Sequence, residues 1–144
     1  MTILTNEQPK WFWAVSVFTL FFSFCGIMTF VSELFMSNEV FKSLTAEERY
    51  FQTHRPFWVL IVFGINVICG SIAAVLILHR NKLAFKFGII AVLCTCIQIL
   101  YYNLFTSITD VIGIINMQYP LIILITSVLL LLFVKYSIIK KWLS

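Results

Sequence analysis

Charged residues are scarce in this sequence. Its 144 residues include ten Lys and Arg and six Asp and Glu, so that 11% are charged, whereas a soluble domain has about 25%. Hydrophobic residues make up 61% of the chain, and the mean hydropathy is +1.00. This composition excludes a soluble globular domain and is typical of an integral membrane protein.

The residues on which many enzymes and metal sites depend are also few. There are two histidines and four cysteines, and both histidines, His54 and His79, lie outside the long apolar runs. Cys94 and Cys96 would point about 200° apart on a helix, so they are not a chelating pair. No nucleophile elbow, phosphate loop or dinucleotide motif is present. We therefore expect no catalytic residues, no bound metal and no cofactor, and we expect that the protein is not an enzyme.

Four apolar runs are long enough to cross a bilayer: residues 11–36, 57–78, 83–105 and 111–134. Each exceeds the roughly 20 residues that a hydrocarbon core of about 30 Å requires. The first run is longer than the apolar part of a signal peptide and no small-residue cleavage pattern follows it, so we expect a retained span. The sequence predicts one all-α domain over residues 1–144, an integral membrane four-helix bundle.

The basic residues predict the orientation of the bundle. Seven Lys and Arg lie before the first run, in the second loop or after the fourth run, if Lys86, one turn inside the third run, is counted with that loop; three lie in the first loop and none in the third. The positive-inside rule then puts both termini in the cytoplasm. Because the basic residues are spread over loops and ends, they do not suggest a nucleic-acid site. The expected surroundings are the lipid bilayer.

The first outer loop, residues 37–55, is the longest segment outside the predicted spans. Its sequence Thr45-Ala46-Glu47-Glu48 fits a capping box. We therefore expect a short amphipathic helix over residues 46–54 at the outer surface.

Three ionisable residues near this loop have more than one interpretation. Glu33 lies 22 residues after Trp11, about 33 Å along a helix, which places it near the outer interface. We interpret it as a wetted carboxylate rather than a coupling-ion site. His54 and Arg55 fit a solvated loop pair, with pH sensing or binding of an anionic headgroup as the alternative.

Small and polar residues form stripes on the predicted helices. In the third run they recur every three or four residues, at Gly88, Ala91, Thr95, Gln98 and Tyr102, which traces one helix face. Such a stripe faces protein rather than lipid. An asparagine in the second run must hydrogen-bond a neighbour, for which Gln98 or a hydroxyl of the first span are the candidates. The polar residues that we expect to contact a solute or a partner helix, called the polar seam, are Ser23, Glu33, Asn66, Thr95, Gln98, Tyr102 and Asn116.

Segments along nearly the whole chain carry a family resemblance. They are Phe12-Trp13 with Ser16 and Gly26, the loop from Met36 to Arg49, Pro56 with Trp58, residues 64–70 and 78–82, Gln98 with Tyr101 and Tyr102, and the lysine-rich end that closes on Trp142. Together they resemble small four-span bacterial membrane proteins commonly labelled "sugar transporter" or uncharacterised membrane protein. The resemblance implies a multi-pass protein of the bacterial inner membrane, but it supplies no functional residues.

Two functions fit these observations. The first is transport of a neutral polar solute such as a sugar by a homo-oligomer, with the polar seam lining a site between chains. The lack of a carboxylate at mid-membrane argues against proton coupling. The alternative is a non-catalytic accessory subunit packed against a larger membrane complex through the loop helix or through a surface of Gly70, Ala73 and Ala74.

Overall fold

The structure is a computed structural model that describes residues 7–104 and 113–143, with side chains except at positions 47, 51 and 113–120. The helices in these ranges are α1 (Lys10–Leu34), α2 (Asn38–Ser43), α3 (Ala46–His54), α4 (Phe57–Leu78), α5 (Leu83–Leu104) and α6 (Gly113–Ile139). Helices α1, α4 and α5 and the Leu121–Ile139 part of α6 are long and apolar enough to cross a membrane. The predicted all-α four-helix membrane bundle is confirmed.

Helix starts and ends follow from a few residues. Pro9 and Pro56 precede α1 and α4 with φ near −64° and −62°, angles that the proline ring fixes and that suit the start of a helix. Helix α4 ends where Arg80 adopts a left-handed conformation, φ 60°. The Asn81 amide then donates back to the Leu76 carbonyl at 2.9 Å, a Schellman ending. The turn from α4 to α5 is therefore set locally.

The four long helices are arranged in a ring. Helix α4 packs against α5, α1 against α4, and α6 against α5. Helix α1 meets α6 through aromatic rings, since Trp11 lies edge-on to Phe133 (centroids 5.7 Å apart) and to Trp142 (5.4 Å). We call this end of the bundle, with the turn at 79–82, the terminal end, and the end with α2 and α3 the loop end.

The tightest packing is at the terminal end. Phe12, Ile77, Ala84, Val134 and Leu143 form a cluster in which no residue is more than 3% exposed. Leu143 reaches this cluster because the chain turns back after α6. The bundle is therefore sealed by side chains where both ends of the described chain meet.

The loop end contains one predicted helix and one that the sequence analysis missed. Helix α3 has the predicted bounds, and the capping box is present: the Thr45 amide donates to Glu48 Oε2 (2.9 Å) and the Glu48 amide donates to Thr45 Oγ1 (3.3 Å). Hydrogen bonds from the Thr45 amide and hydroxyl lower the pKa of Glu48. Helix α2 was not predicted, and α1 ends at Leu34 rather than at residue 36. The Ser37 hydroxyl caps α2 by accepting from Val40 at 3.3 Å.

Candidate functional site

A cavity of about 290 Å³ lies between the four long helices. All four contribute to its wall, including Ser23 of α1, Asn66 and Gly70 of α4, Ala91 of α5 and Ser127 of α6. Among the described lining residues there is no Asp, Glu, His, Lys or Arg. Pockets for small molecules have volumes from about 300 to 1,000 Å³, so this cavity is at the lower end of that range and has room for one small ligand.

Glycines of the wall differ in how closely their neighbours approach. A Cβ atom added at Gly26 would lie 3.7 Å from a Val67 methyl group, and one at Gly88 would lie 3.1 Å from Leu131 Cδ1. At Gly70 a Cβ would meet nothing within 4 Å. Gly26 and Gly88 therefore permit contact between helices, whereas Gly70 faces open space in the cavity wall.

Asn66 connects the cavity wall to the neighbouring helix. Its Nδ2 donates to Thr95 Oγ1 at 3.0 Å, and the Thr95 hydroxyl donates in turn to the Ala91 carbonyl at 3.0 Å. We expected Gln98 or a first-span hydroxyl as the partner of Asn66, and this prediction was wrong. The partner is Thr95, one turn before Gln98 on the same stripe. The bond satisfies one N–H of the asparagine inside the membrane and joins α4 to α5.

The hydroxyl groups of the wall donate to main-chain carbonyls. Ser23 Oγ lies 3.5 Å from the Gly70 carbonyl, a long contact between α1 and α4. The others donate to a carbonyl four residues earlier on their own helix: Thr19 to Val15 (2.8 Å), Thr29 to Cys25 (3.0 Å) and Ser127 to Ile123 (2.7 Å). Each hydroxyl oxygen keeps lone pairs that can accept. The wall therefore offers more hydrogen-bond acceptors than donors.

At the loop end an ion pair joins α1 to the start of α4. Arg55 Nη1 lies 2.8 Å from Glu33 Oε2, and the two side chains are 9% and 20% exposed. Arg55 also hydrogen-bonds Tyr102 of α5. We call Glu33, Arg55 and Tyr102 the loop-end cluster. Glu33 is thus paired, and the interpretation of Arg55 as a solvated loop residue was wrong.

The sequence contained a signal for this ion pair. Glu33 is next to the last residue of one span, and Arg55 is two residues before the first residue of the next. Both are therefore expected at a similar depth in the membrane. Opposite charges at one depth, where water is scarce, are expected to pair. The pairing was not predicted because the two residues are 22 positions apart in the chain.

The predicted polar seam is divided among three places. Ser23 and Asn66 line the cavity, whereas Thr95 and Gln98 are buried between helices, at 2% and 8% exposed. Glu33 and Tyr102 belong to the loop-end cluster. The backbone of α6 includes Asn116, but its side chain lies outside the described part. Three wall hydroxyls, those of Thr19, Thr29 and Ser127, were not in the predicted seam. A signal was present on α1, since Thr19 is four residues before Ser23 and Thr29 is four residues before Glu33.

The small-residue surface proposed for a partner protein is inside the bundle. Ala73 and Ala74 are 8% and 0% exposed, and Gly70 lines the cavity. These residues therefore pack within the chain and are not available to another one.

No family model, curated protein or solved structure matches this chain. The class of protein is defined by the fold and the cavity alone. It is a multi-pass helical membrane protein with a cavity, inside its spans, whose described wall is uncharged.

Proposed function

We propose that the protein is a transporter of a small neutral solute in the bacterial cytoplasmic membrane. The observation that carries this proposal is the cavity between the four spans, with amide and hydroxyl groups in its wall and no charged side chain among its described lining residues. A charged ligand at this depth would need a compensating charge, whereas a neutral one needs only hydrogen bonds. The resemblance to proteins labelled "sugar transporter" agrees with a neutral solute.

The proposal includes an orientation with both termini in the cytoplasm. Lysine and arginine residues concentrate at the terminal end: at the start of α1, at the end of α6, and in and just after the turn that follows α4. This is the distribution expected on the cytoplasmic side. A reporter that works only in the cytoplasm should be active when fused after Leu143. A reporter that works only outside the membrane should be active when inserted within residues 43–46.

We also propose that several copies associate, because a cavity within one four-helix bundle provides a binding site but not a path across the membrane. Native mass spectrometry of protein extracted gently from its membrane should find homo-oligomers. Fixed stoichiometry with a different, larger protein would instead support the accessory subunit. One of the two contact surfaces expected for the accessory subunit is not accessible to a partner, since Ala73 and Ala74 are buried.

The test of solute binding uses two matched asparagine variants in proteoliposomes. Asn66→Leu removes the amide from the wall, and Asn103→Leu removes an exposed amide that bonds only to the Ile99 carbonyl of its own helix in the described part of the chain. Uptake of a panel of labelled neutral solutes should fall about tenfold in the first variant, the value of one hydrogen bond. It should change less than twofold in the second.

A third variant separates binding from helix packing. Thr95→Val removes the partner of Asn66 without changing the cavity wall, since Thr95 does not line it. If Thr95→Val lowers uptake as much as Asn66→Leu, the asparagine acts by joining helices and not by contacting solute. The proposal also fails if no neutral solute enters vesicles with the wild-type protein faster than vesicles without it.

A further inference from the structure

Packed side chains separate the cavity from water at the terminal end. Ile77 and Val134 line the cavity there and are 1% and 3% exposed, with Phe12 completely buried behind them. On α1 and α4, the loop side of the cavity is covered by Phe30 lying edge-on to Phe63, with centroids 5.7 Å apart. The loop-end cluster lies beyond these rings. Along these helices a water-soluble molecule therefore meets packed protein.

Among the side chains that the structure describes, those of α1 and α6 leave the cavity open between these two helices. Its wall residues on these two helices include exposed ones, Phe22 (36%), Cys25 and Ile123 (38%), whereas Ala84 and Ala91 of α5 are buried. We call the gap bounded by Phe22, Cys25 and Ile123 the mouth. Cys25 lies about 22 Å from the start of α1 and about 14 Å from its end. The mouth thus faces the hydrocarbon interior of the bilayer.

The chemistry of the wall favours a ligand with one hydroxyl group. The wall hydroxyls donate to main-chain carbonyls, so they can only accept from a ligand. Within the described part of the chain, Asn66 uses one N–H, toward Thr95, which leaves its second N–H and its carbonyl oxygen. A hydroxyl group next to Asn66 could accept from that N–H and donate to a wall oxygen.

A sugar fits this wall less well. Much of the remaining lining is hydrocarbon, including Phe22, Leu130 and Leu131. Each additional hydroxyl group that found no partner there would weaken binding by about tenfold. A hydrocarbon chain needs no hydrogen-bond partner in the wall, and it can extend through the mouth into the bilayer.

We propose that the cavity binds an alcohol with a long hydrocarbon chain. The alcohol enters from the bilayer through the mouth and places its hydroxyl group against Asn66. This inference rests on the proposed function and narrows its neutral solute to a molecule that partitions into the membrane.

The test is photolabelling of the full-length protein in lipid nanodiscs. The probe is 1-dodecanol with a diazirine in its chain, and labelled residues are mapped by mass spectrometry. Gly70→Phe fills the cavity, because nothing lies within 4 Å of the added Cβ. Ile68→Phe adds the same ring on the lipid face of α4, where Ile68 is 55% exposed. Gly70→Leu, a smaller filling residue, serves if the phenylalanine variant does not fold, as judged by its elution profile.

The expected result is labelling of wall residues that falls at least fivefold in Gly70→Phe and less than twofold in Ile68→Phe. Excess unlabelled 1-dodecanol should compete. Dodecyl methyl ether, which lacks a donor, should compete at least fivefold less well. Equal labelling in both variants, or equal competition by the ether, would overturn the inference.

Glucose distinguishes failure of the inference from failure of the proposed function. If glucose reduces the labelling of wall residues and unlabelled 1-dodecanol does not, the cavity binds a polar solute. The inference is then wrong, and the proposal of a neutral-solute transporter stands. If neither compound reduces the labelling of wall residues, and no neutral solute enters proteoliposomes, both proposals fail.

Discussion

Two glycines of α4, six residues apart, should respond to alanine in opposite ways. At Gly64 an added Cβ would lie 2.7 Å from Phe30 Cζ and 3.0 Å from Cε2, closer than atoms normally approach. The Phe30 ring would have to move, and its edge-on contact with Phe63 would be lost. At Gly70 the same atom would meet nothing within 4 Å.

The expected magnitudes follow from these distances. Overpacking at a helix contact costs about 1–3 kcal/mol, so Gly64→Ala should lower the free energy of unfolding by that amount. Gly70→Ala should leave it unchanged or raise it by up to about 1 kcal/mol, the helix preference of alanine over glycine. The gain will approach zero if the unfolded reference state keeps its helices, as it does in detergent.

Steric trapping in bicelles would measure both variants. Adding Phe30→Leu to Gly64→Ala should recover part of the loss, with a coupling energy of about 0.5–3 kcal/mol. The reasoning is refuted if Gly64→Ala is as stable as the wild type, or if Gly70→Ala costs more than about 1 kcal/mol. Either result would mean that α1 and α4 do not approach each other as described.

Three further predictions concern the two ends of the bundle. Glu33→Gln removes the carboxylate that pairs with the nearly buried Arg55. It should lower the free energy of unfolding by about 1–3 kcal/mol. An unchanged free energy of unfolding in a denaturation titration would contradict the pairing. Because the pKa of Glu48 is lowered from its ordinary 4.5, its capping contribution is complete above that value and is lost as pH falls through the lowered pKa. Amide exchange in α3 should therefore accelerate in acid, and Glu48→Gln should remove most of this dependence. Trp142→Ala removes three edge-on ring contacts at the terminal end, one of them with Trp11. At roughly 0.5–1.5 kcal/mol per ring pair, it should lower the free energy of unfolding in the same titration by about 1.5–4.5 kcal/mol. A loss below about 1 kcal/mol would contradict that packing.

The sequence was sufficient for the helices because their causes are local. The apolar runs, the prolines before α1 and α4, and the capping box at Thr45 each act within a few residues. Helix α2 was missed because it has only six residues, too few to show a periodic pattern.

The functional site was harder to predict because its contacts join residues far apart in the chain. The stripe with Thr95 and Gln98 was recognised, but periodicity gives a face and not a partner. Asn66 could therefore not be assigned to Thr95, 29 residues away. The cavity at Gly70 was invisible for a similar reason, since a glycine that allows close packing and one that leaves space look the same in a sequence.

The seal at the terminal end also determines when the bundle can close during synthesis. Trp142 and Leu143 complete packing that begins with Trp11 and Phe12. At roughly 5–20 residues per second, about 7 to 26 s pass between the synthesis of the two tryptophans. During this interval the first span is in the membrane without the residues that cover its aromatic face. The insertion machinery, or lipid, must occupy that face until Trp142 and Leu143 have been synthesised.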